Sequence, residues 1–170
     1  MSDQYPPNPY GQQQPAPTGP GGEPPLWAPY YGASFGTAVS RFFKKYATFS
    51  GRASRSEFWW WYLANGIIGL VLGVFAAIGA ASSDLRVDEY SGQITGGLSP
   101  LYWIVVVISI LWGLATIVPS LALGWRRLHD ANLAGALWII ALIVGIVGIV
   151  FGLLPSNPEG AQYDRPESAR

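Results

Sequence analysis

Three long apolar runs divide the chain, and polar or proline-containing segments separate them. They cover residues about 58–81, 101–124 and 133–154, and none contains a charged side chain. About 20 apolar residues in a helix cross the hydrocarbon core of a bilayer, because each residue adds about 1.5 Å along the axis. The pattern therefore predicts an all-α membrane protein with three transmembrane helices.

Local signals predict where two of these helices begin. Residues 54–57, Ser-Arg-Ser-Glu, match a capping box, in which each side chain accepts a hydrogen bond from the other residue's backbone N–H. The first helix should therefore begin at Arg55, and the aromatic residues 59–62 follow at the depth where such rings prefer the headgroups. Residues 99–100, Ser-Pro, similarly predict the start of the second helix.

The segment before the first run has two parts. Residues 1–32 are rich in proline, glycine, glutamine and tyrosine, with too few aliphatic side chains to offset the entropy of ordering, so we predict a disordered tail. In residues 35–49, aromatic and aliphatic side chains recur on one helical face and bases occupy the rest, which predicts an amphipathic helix at the membrane interface. A soluble helix that packs on a partner is the alternative. The membrane domain then covers residues 33–160, and residues 161–170 form a polar C-terminal tail.

Lysines and arginines are distributed unevenly between the connections. Five precede the first run and Arg126 and Arg127 follow the second, whereas the connection 82–99 carries only Arg86 beside three acids. The positive-inside rule places the base-rich segments in the cytoplasm. With three spans, the N-terminus is predicted to be cytoplasmic and the C-terminus outside.

Composition excludes several classes of function. The formal net charge is zero, so overall charge does not favour binding to nucleic acid. The chain has no cysteine, which excludes disulfides, thiolate catalysis and cysteine-based zinc sites. His129 is the single histidine, so one chain cannot build a multi-histidine metal site. We therefore predict no metal and no cofactor.

Charged residues near the predicted cytoplasmic ends of the helices form the candidate site. They are Arg52, Arg55, Glu57, Arg126, Arg127, His129 and Asp130. These charges could set topology and packing, the arginines could bind the phosphates of anionic lipid headgroups, or His129 and Asp130 could perform acid–base chemistry. Because unpaired charges are costly near a membrane core, we predict one cluster. Glu57 should lie within about 4 Å of a nitrogen of Arg126 or Arg127, or Asp130 within about 4 Å of a nitrogen of Arg52 or Arg55.

Small residues spaced four apart predict helix contacts, since they let backbones approach closely. The glycines concerned are Gly69, Gly73, Gly145, Gly148 and Gly152. We expect the Gly69–Gly73 face to touch another helix within the chain. Contact with a second copy in a homo-oligomer, or with another membrane protein, is the alternative.

Two motifs resemble those of a known family. Residues 43–59, Phe-Lys-Lys-Tyr-Ala-Thr-Phe-Ser-Gly-Arg-Ala-Ser-Arg-Ser-Glu-Phe-Trp, resemble the opening motif of the bacterial inner-membrane family known as domain of unknown function 805, the YhaH-like proteins. Residues 126–130, Arg-Arg-Leu-His-Asp, resemble its second motif, and the resemblance covers about residues 38–160. It implies a multi-pass protein of the bacterial cytoplasmic membrane and assigns no activity.

Two functional hypotheses follow. The first is a non-enzymatic membrane component that binds anionic lipid or a partner protein through a basic cytoplasmic face. The alternative is a membrane-embedded enzyme that acts on a lipid-like substrate with His129 and Asp130. A transporter is disfavoured because the apolar runs contain no ionisable acid or base for an ion pathway.

Overall fold

The computed structural model of the protein describes residues 22–164, which are mostly helical. The helices are α1 (Phe35–Lys44), α2 (Arg55–Ala81), α3 (Pro100–Asp130), α4 (Trp138–Ile143) and α5 (Gly145–Leu153). Between α2 and α3, strands β1 (Arg86–Val87) and β2 (Ile94–Thr95) pair antiparallel. Short 3₁₀ turns cover Gly135–Leu137 and Pro158–Tyr163.

The two long helices, α2 and α3, form an antiparallel pair. Gly79 near the end of α2 packs against the backbone of Tyr102 near the start of α3. At the other end, the backbone N–H of Ala53 donates to the carbonyl of Arg126 over 3.0 Å. Within the part of the chain that the structure describes, only α2 and α3 are long and apolar enough to cross a membrane. The prediction of a helical membrane protein is consistent with this pair.

The predicted helix starts are confirmed. The Ser54 hydroxyl accepts from the backbone N–H of Glu57 at 3.2 Å, and the Glu57 carboxylate accepts from the backbone N–H of Ser54 at 3.0 Å. Ser99 caps α3 by accepting from the N–H of Tyr102, and Pro100 occupies the first turn. Both signals depend only on residues that are close in sequence, which is why the sequence revealed them.

The end of α3 differs from the prediction. The apolar run ends near residue 124, but the helix continues to Asp130 and is capped at Ala131. Residues 126–130 therefore form the last turns of the helix and are not a connection. The helix can continue through these charges because they are buried against protein and not exposed to lipid.

The prediction of a third continuous helix over residues 133–154 is wrong. The run is broken at Val144 (φ −121°, ψ 87°), leaving α4 with six residues and α5 with nine. Nine residues reach only about 14 Å, against a hydrocarbon core of about 30 Å. A Cβ placed on Gly148 would lie 3.6 Å from the Cβ of Ala141, although seven residues of straight helix span about 10 Å. The two helices therefore fold back into a hairpin.

This hairpin returns the chain to where it started. We call the end of the α2–α3 pair that contains Arg55 and Asp130 the polar end. The Arg127 guanidinium donates to the carbonyl of Leu154 after the hairpin, and the N–H of Asn157 donates to the carbonyl of Asp130 at 2.7 Å. The chain thus enters and leaves the hairpin at the polar end, whereas three spans would place the segments before α2 and after α5 at opposite ends of the helix pair. The sides of the membrane on which they lie stay a prediction.

The buried core also lies at the polar end. Its members are Phe42, Ala53, Phe58, Trp61, Ala64, Leu123, Leu128, Trp138 and Ala141. Farther along the pair, large apolar side chains such as Leu70 and Leu111 are 69% and 60% exposed. Such exposed apolar surface suits contact with lipid tails.

Helix α1 is shorter than predicted, and its bases are oriented differently. It ends at Lys44, whereas the periodicity predicted a helix over 35–49. Phe42 is buried and stacks on Trp61, as the aromatic face predicts, but the preceding residue, Arg41, about 100° away around the helix, is buried too. Two sides of α1 therefore contact protein.

Part of the predicted disordered tail is ordered. Residues 1–21 of that tail, and residues 165–170 of the predicted C-terminal tail, lie outside the described residues. Residues 24–33, which we call the strap, pack over α1 and α2. The Arg41 guanidinium donates to the carbonyls of Pro24 at 2.9 Å and Ala28 at 2.6 Å. Hydrogen bonds to a buried guanidinium, which composition does not reveal, order this segment.

The expected packing of the Gly69–Gly73 face within the chain does not occur. A Cβ added to Gly69, Gly73 or Gly145 would meet no atom of the described residues within 4 Å. By contrast, Gly148 packs against the Tyr62 hydroxyl and Gly152 against the ring of Phe58. These two glycines let α5 approach the start of α2. Contact of the Gly69–Gly73 face with a second chain stays a prediction.

Candidate functional site

Glu57 is the centre of the first polar group. Its carboxylate is 3% exposed and accepts four hydrogen bonds. One oxygen accepts from Arg41 Nε at 2.8 Å and Lys45 Nζ at 3.4 Å, and the other accepts from the backbone N–H groups of Ser54 and Tyr30. Four donors compensate the cost of burying a carboxylate, so its role is structural.

The cations around Glu57 outnumber it. Arg41 and Lys45 are both buried, and Arg126 lies close enough to act on them electrostatically. Burial lowers the pKa of Lys45 to about 7, with Glu57 opposing this shift and Arg126 and Arg41 adding to it. Loss of the single carboxylate would therefore leave buried positive charge with no counter-ion.

Asp130 is the centre of the second polar group. It is fully buried and accepts from the Tyr31 hydroxyl at 2.6 Å, from Arg127 Nη1 at 2.6 Å and from the Ser156 hydroxyl at 2.5 Å. Burial, together with the charge of Asp130, raises the pKa of Tyr31, so its phenol stays protonated and donates at neutral pH. The group joins the strap, the end of α3 and the segment after the hairpin.

Two arginine nitrogens in the site are buried without a hydrogen-bond partner in the described chain. They are Arg126 Nη2 and Arg127 Nε. Arg126 is otherwise anchored by its Nε, which donates to the carbonyl of Ala122 at 3.1 Å. Each guanidinium thus makes a hydrogen bond within its own helix, Arg126 to the carbonyl of Ala122 and Arg127 to the carboxylate of Asp130.

The predicted single cluster of ion pairs is wrong. In residues 22–164, Glu57 pairs with Arg41 and Lys45, and Asp130 pairs with Arg127, so neither carboxylate pairs with an arginine of the other motif. The pairing partners of Glu57 are Arg41 in α1 and Lys45 at the C-terminal cap of that helix, 16 and 12 residues before Glu57. The two motifs therefore support two separate groups.

Backbone contacts and the strap join these two groups. Ala53 bonds to Arg126, and His129 Nδ1 lies 3.0 Å from the carbonyl of Gly51. In the strap, the backbone of Tyr30 bonds to Glu57 and the next side chain, Tyr31, bonds to Asp130. Neither tyrosine is among the predicted site residues, because both lie in the proline-rich tail. An adjacent aromatic pair just before an amphipathic helix was the available signal.

Arg52 forms a third ion pair, with the C-terminal segment. Its guanidinium donates to both carboxylate oxygens of Asp164, at 2.9 and 2.6 Å. Burial opposes the charge on Arg52, yet these bonds raise its pKa. Next to them, the ring of His129 stacks on Tyr163 with centroids 4.0 Å apart. These contacts join the segment just before α2 and the end of α3 to the last described residues.

The geometry does not support acid–base chemistry by His129 and Asp130. His129 is 7% exposed, with one ring nitrogen against Gly51 and one face against Tyr163. Asp130 faces Tyr31, Arg127 and Ser156, so no hydrogen bond joins it to the His129 ring. Both side chains are used in folding.

The basic face is smaller than the sequence suggests. Of the seven bases at the polar end, Arg41, Lys45, Arg126 and Arg127 are buried, and the Arg52 side chain is only 12% exposed. Lys44 and Arg55 are exposed. Binding of an anionic ligand from outside can therefore use only a few of these charges.

Arg55 lies where two surface depressions meet. A shallow cleft of 410 Å³ is lined by Tyr31, Gly32, Ser54, Arg55, Ser56, Pro155 and Ser156. An apolar groove of 510 Å³ is lined by Arg55, Ser56, Trp59, Trp60 and Leu63. The Nε of Arg55 donates to the carbonyl of Leu154 at 2.8 Å, which holds the guanidinium between the two.

These features define a small helical membrane protein that has its charges folded inward at one end of a helix pair. The chain belongs to the family described as protein of unknown function (DUF805), whose model matches residues 46–165. This match confirms the resemblance of the two motifs. The strap and α1 precede the matched region.

Two curated relatives come from Escherichia coli (strain K12). The chain is 36% identical to inner membrane protein YhaI over 105 residues, which cover 62% of this chain and 70% of YhaI. It is 29% identical to inner membrane protein YhaH over 120 residues, which cover 68% of this chain and 83% of YhaH. No solved structure matches the chain.

Proposed function

We propose that the protein is a non-enzymatic component of the bacterial inner membrane that binds an anionic lipid through Arg55. One observation carries the proposal: a shallow cleft beside the Arg55 guanidinium and an apolar groove share Arg55 and Ser56. A phospholipid has the same two parts, a charged headgroup joined to an apolar chain. The names of the two E. coli relatives support the inner membrane as the location.

Arg55 has the free hydrogen-bonding capacity that such a ligand needs. Only its Nε has a partner among the described residues, so both terminal nitrogens can donate to a phosphate. An arginine fork matches the geometry of phosphate oxygens. The side chain also lies at the start of α2, where the helix dipole favours an anion.

The groove next to Arg55 suits the apolar part of the lipid. Trp59, Trp60 and Leu63 line it, and Trp60 is fixed because its indole N–H donates to the carbonyl of Ala33 at 2.9 Å. Tryptophan rings favour the level of the headgroups. The cleft would therefore hold the headgroup while one acyl chain follows α2 into the bilayer.

The membrane arrangement that we propose has two spans, α2 and α3, and a re-entrant hairpin, α4–α5. Seven bases lie at the polar end and Arg86 alone lies in the β1–β2 connection, so the positive-inside rule places the polar end in the cytoplasm. Both described ends of the chain then face the cytoplasm, and α1 lies along that interface. The exposed apolar side chains of the hairpin, such as Ile143 at 80%, support its insertion among lipid tails.

Replacing Arg55 with glutamine is expected to weaken binding of phosphatidylglycerol about tenfold, because a charge-assisted hydrogen bond contributes about 1.5–3 kcal/mol. Native mass spectrometry of the full chain, released from nanodiscs that contain phosphatidylglycerol and phosphatidylcholine, measures the bound fraction. The matched control is Lys44→Gln, which removes an exposed base from α1. Lys44→Gln should change binding less than twofold. Equal losses in the two variants would mean diffuse attraction to a basic surface and would overturn the Arg55 site.

Single-cysteine labelling tests the arrangement, because the chain has no cysteine of its own. Ser91→Cys, in the β1–β2 connection, should react with an impermeant maleimide in intact spheroplasts, whereas Ala161→Cys should react only after lysis. Ile143→Cys, at the tip of the hairpin, should stay unreactive in both conditions because it lies among lipid tails. Labelling of Ala161→Cys in intact spheroplasts would contradict the two-span arrangement and support a third span instead.

A further inference from the structure

A separate cavity lies between α2, α3 and α4. It has a volume of 260 Å³ and is lined by Phe58, Trp61, Tyr62, Asn65, Ile117, Ser120, Leu121, Leu123, Trp138, Ala141 and Leu142. Asn65 follows Arg55 by ten residues and Ser120 precedes Asp130 by ten, so both lie about 15 Å from the polar end. That depth is inside the hydrocarbon core of the proposed arrangement. Ile117 and Leu142 are 55% and 61% exposed, so the cavity is open toward the bilayer.

Three polar side chains line this cavity with hydrogen-bond donors to spare. The hydroxyls of Tyr62 and Ser120 have no hydrogen-bond partner in residues 22–164. Asn65 uses only its carbonyl oxygen, which accepts from Trp112 Nε1 at 2.9 Å. Because an indole nitrogen can only donate, this bond fixes the orientation of the amide and leaves its NH₂ free.

These free donors are unusual for a membrane helix. Serine and threonine in a span ordinarily donate to a backbone carbonyl one turn earlier. Ser109 does so to Val105 at 2.7 Å, and Thr116 does so to Trp112 at 2.8 Å. Ser120 lies in the same helix, α3, yet its hydroxyl makes no such bond to a backbone carbonyl. Polar groups left unpaired in hydrocarbon cost free energy, and a ligand that accepts hydrogen bonds would recover it.

We propose that this cavity binds a lipophilic molecule whose flat ring carries carbonyl oxygens, as a quinone on a hydrocarbon tail does. The rings of Phe58, Trp61 and Trp138 line the walls and suit a planar guest. Tyr62, Asn65 and Ser120 supply donors, so the guest must supply acceptors. The tail would leave between Ile117 and Leu142 into the bilayer.

Hydrogen bonding and depth argue against the ordinary lipids of the surrounding bilayer as the ligand. A plain acyl chain could fill the volume but would leave all three donors unpaired. The ester carbonyls of a phospholipid are acceptors, but they lie at the headgroup level and not about 15 Å along the helices. A carbonyl-bearing ring combines a hydrogen-bond acceptor with an affinity for the hydrocarbon core of the bilayer.

Three probes that share a ten-carbon tail test the proposal on the full-length protein in phosphatidylcholine nanodiscs. They are a decyl-substituted dimethoxy-methyl-benzoquinone, decylbenzene, and methyl decanoate. Native mass spectrometry counts the bound probe. The quinone should bind saturably, and both other probes should bind at least tenfold more weakly, because one lacks acceptors and the other lacks the ring.

Variants locate the site. Ser120→Ala should weaken quinone binding about fivefold, the effect of one hydrogen bond. Ala141→Leu should abolish binding by filling the cavity, and the matched control Ser109→Ala should bind within twofold of the native chain. Circular dichroism shows whether Ala141→Leu is folded. If Ala141→Leu is not folded, the comparison of quinone binding between Ser120→Ala and Ser109→Ala decides whether the cavity is the site.

Equal binding of decylbenzene and the quinone, or equal binding by Ser120→Ala and Ser109→Ala, would overturn the proposal. Stronger binding of methyl decanoate than of the quinone would also overturn it, in favour of an ester lipid. The outcome is independent of the Arg55 site, because the cavity and the cleft share no residue and phosphatidylcholine nanodiscs contain no anionic lipid.

Discussion

Replacing Glu57 with glutamine is expected to destabilise the protein by about 3–5 kcal/mol, the usual cost of removing one partner of a buried ion pair. Glutamine keeps the shape of the side chain but loses its charge. Arg41 and Lys45 would then be buried with no counter-ion, beside Arg126. The capping bond to Ser54 and the bond to the strap at Tyr30 would weaken as well, since an amide oxygen is a poorer acceptor than a carboxylate.

Tryptophan fluorescence during titration with SDS in mixed micelles measures this change in the free energy of unfolding. The control is Glu89→Gln, which makes the same substitution at an exposed position of the β1–β2 connection and should leave the midpoint unchanged. A second variant, Glu57→Gln combined with Lys45→Met, removes a buried amine that must either carry a charge without a counter-ion or lose its proton, and it should recover part of the loss. Equal midpoints for Glu57→Gln and Glu89→Gln would contradict the structural role of Glu57.

Replacing Asp130 with asparagine is expected to have a similar effect, about 3–5 kcal/mol. Arg127 would lose its counter-ion while its Nε is already without a partner. The contacts of Asp130 with Tyr31 and Ser156 would also weaken, and these hold the strap and the C-terminal segment to α3. The same SDS titration measures the loss.

Asp84→Asn is the matched control for Asp130. Asp84 also pairs with an arginine, Arg86, at 2.7 Å, but both side chains are more than 70% exposed. Solvent screens such a pair, so the substitution should have little effect on stability. Tyr31→Phe removes one donor from Asp130 and should cost about 1 kcal/mol. If Asp130→Asn proved as mild as Asp84→Asn, the second polar group would not stabilise the fold.

The starts of the long helices could be predicted because their signals are local. The capping box at 54–57 and the Ser99–Pro100 pair each depend on residues within one turn, and both are present. The end of α3 could not be predicted in this way. Hydropathy treats residues 126–130 as an exit from the membrane, whereas their burial depends on the strap and on the segment after α5.

The hairpin was missed for a related reason. A continuous apolar run of about 22 residues fits one span or two shorter helices equally well, because both arrangements need apolar side chains that face lipid or the protein core. The difference lies in contacts between distant residues. Gly148 and Gly152 permit close packing of α5 on Tyr62 and Phe58. A straight helix that left the polar end could not make these contacts and also bring Asn157 back to the carbonyl of Asp130.

The ion pairs show the same limit. The candidate residues lie at one end of the two long helices, but their partners could not be assigned from the sequence. Glu57 pairs with α1 rather than with Arg126 or Arg127, because α1 packs on α2 and directs Arg41 and Lys45 inward. Pairing thus depends on the placement of a helix, which charge alone does not determine.

If the proposed membrane arrangement holds, the hairpin also gives the molecule a wedge-like cross-section. In the proposed arrangement, α2 and α3 cross both leaflets, whereas α4 and α5 add two further helices, each about 10 Å across, to the cytoplasmic leaflet alone. The protein therefore displaces more lipid area from that leaflet than from the outer one. Such a shape fits best where the membrane bends so that its cytoplasmic leaflet is stretched, and many copies would favour that curvature.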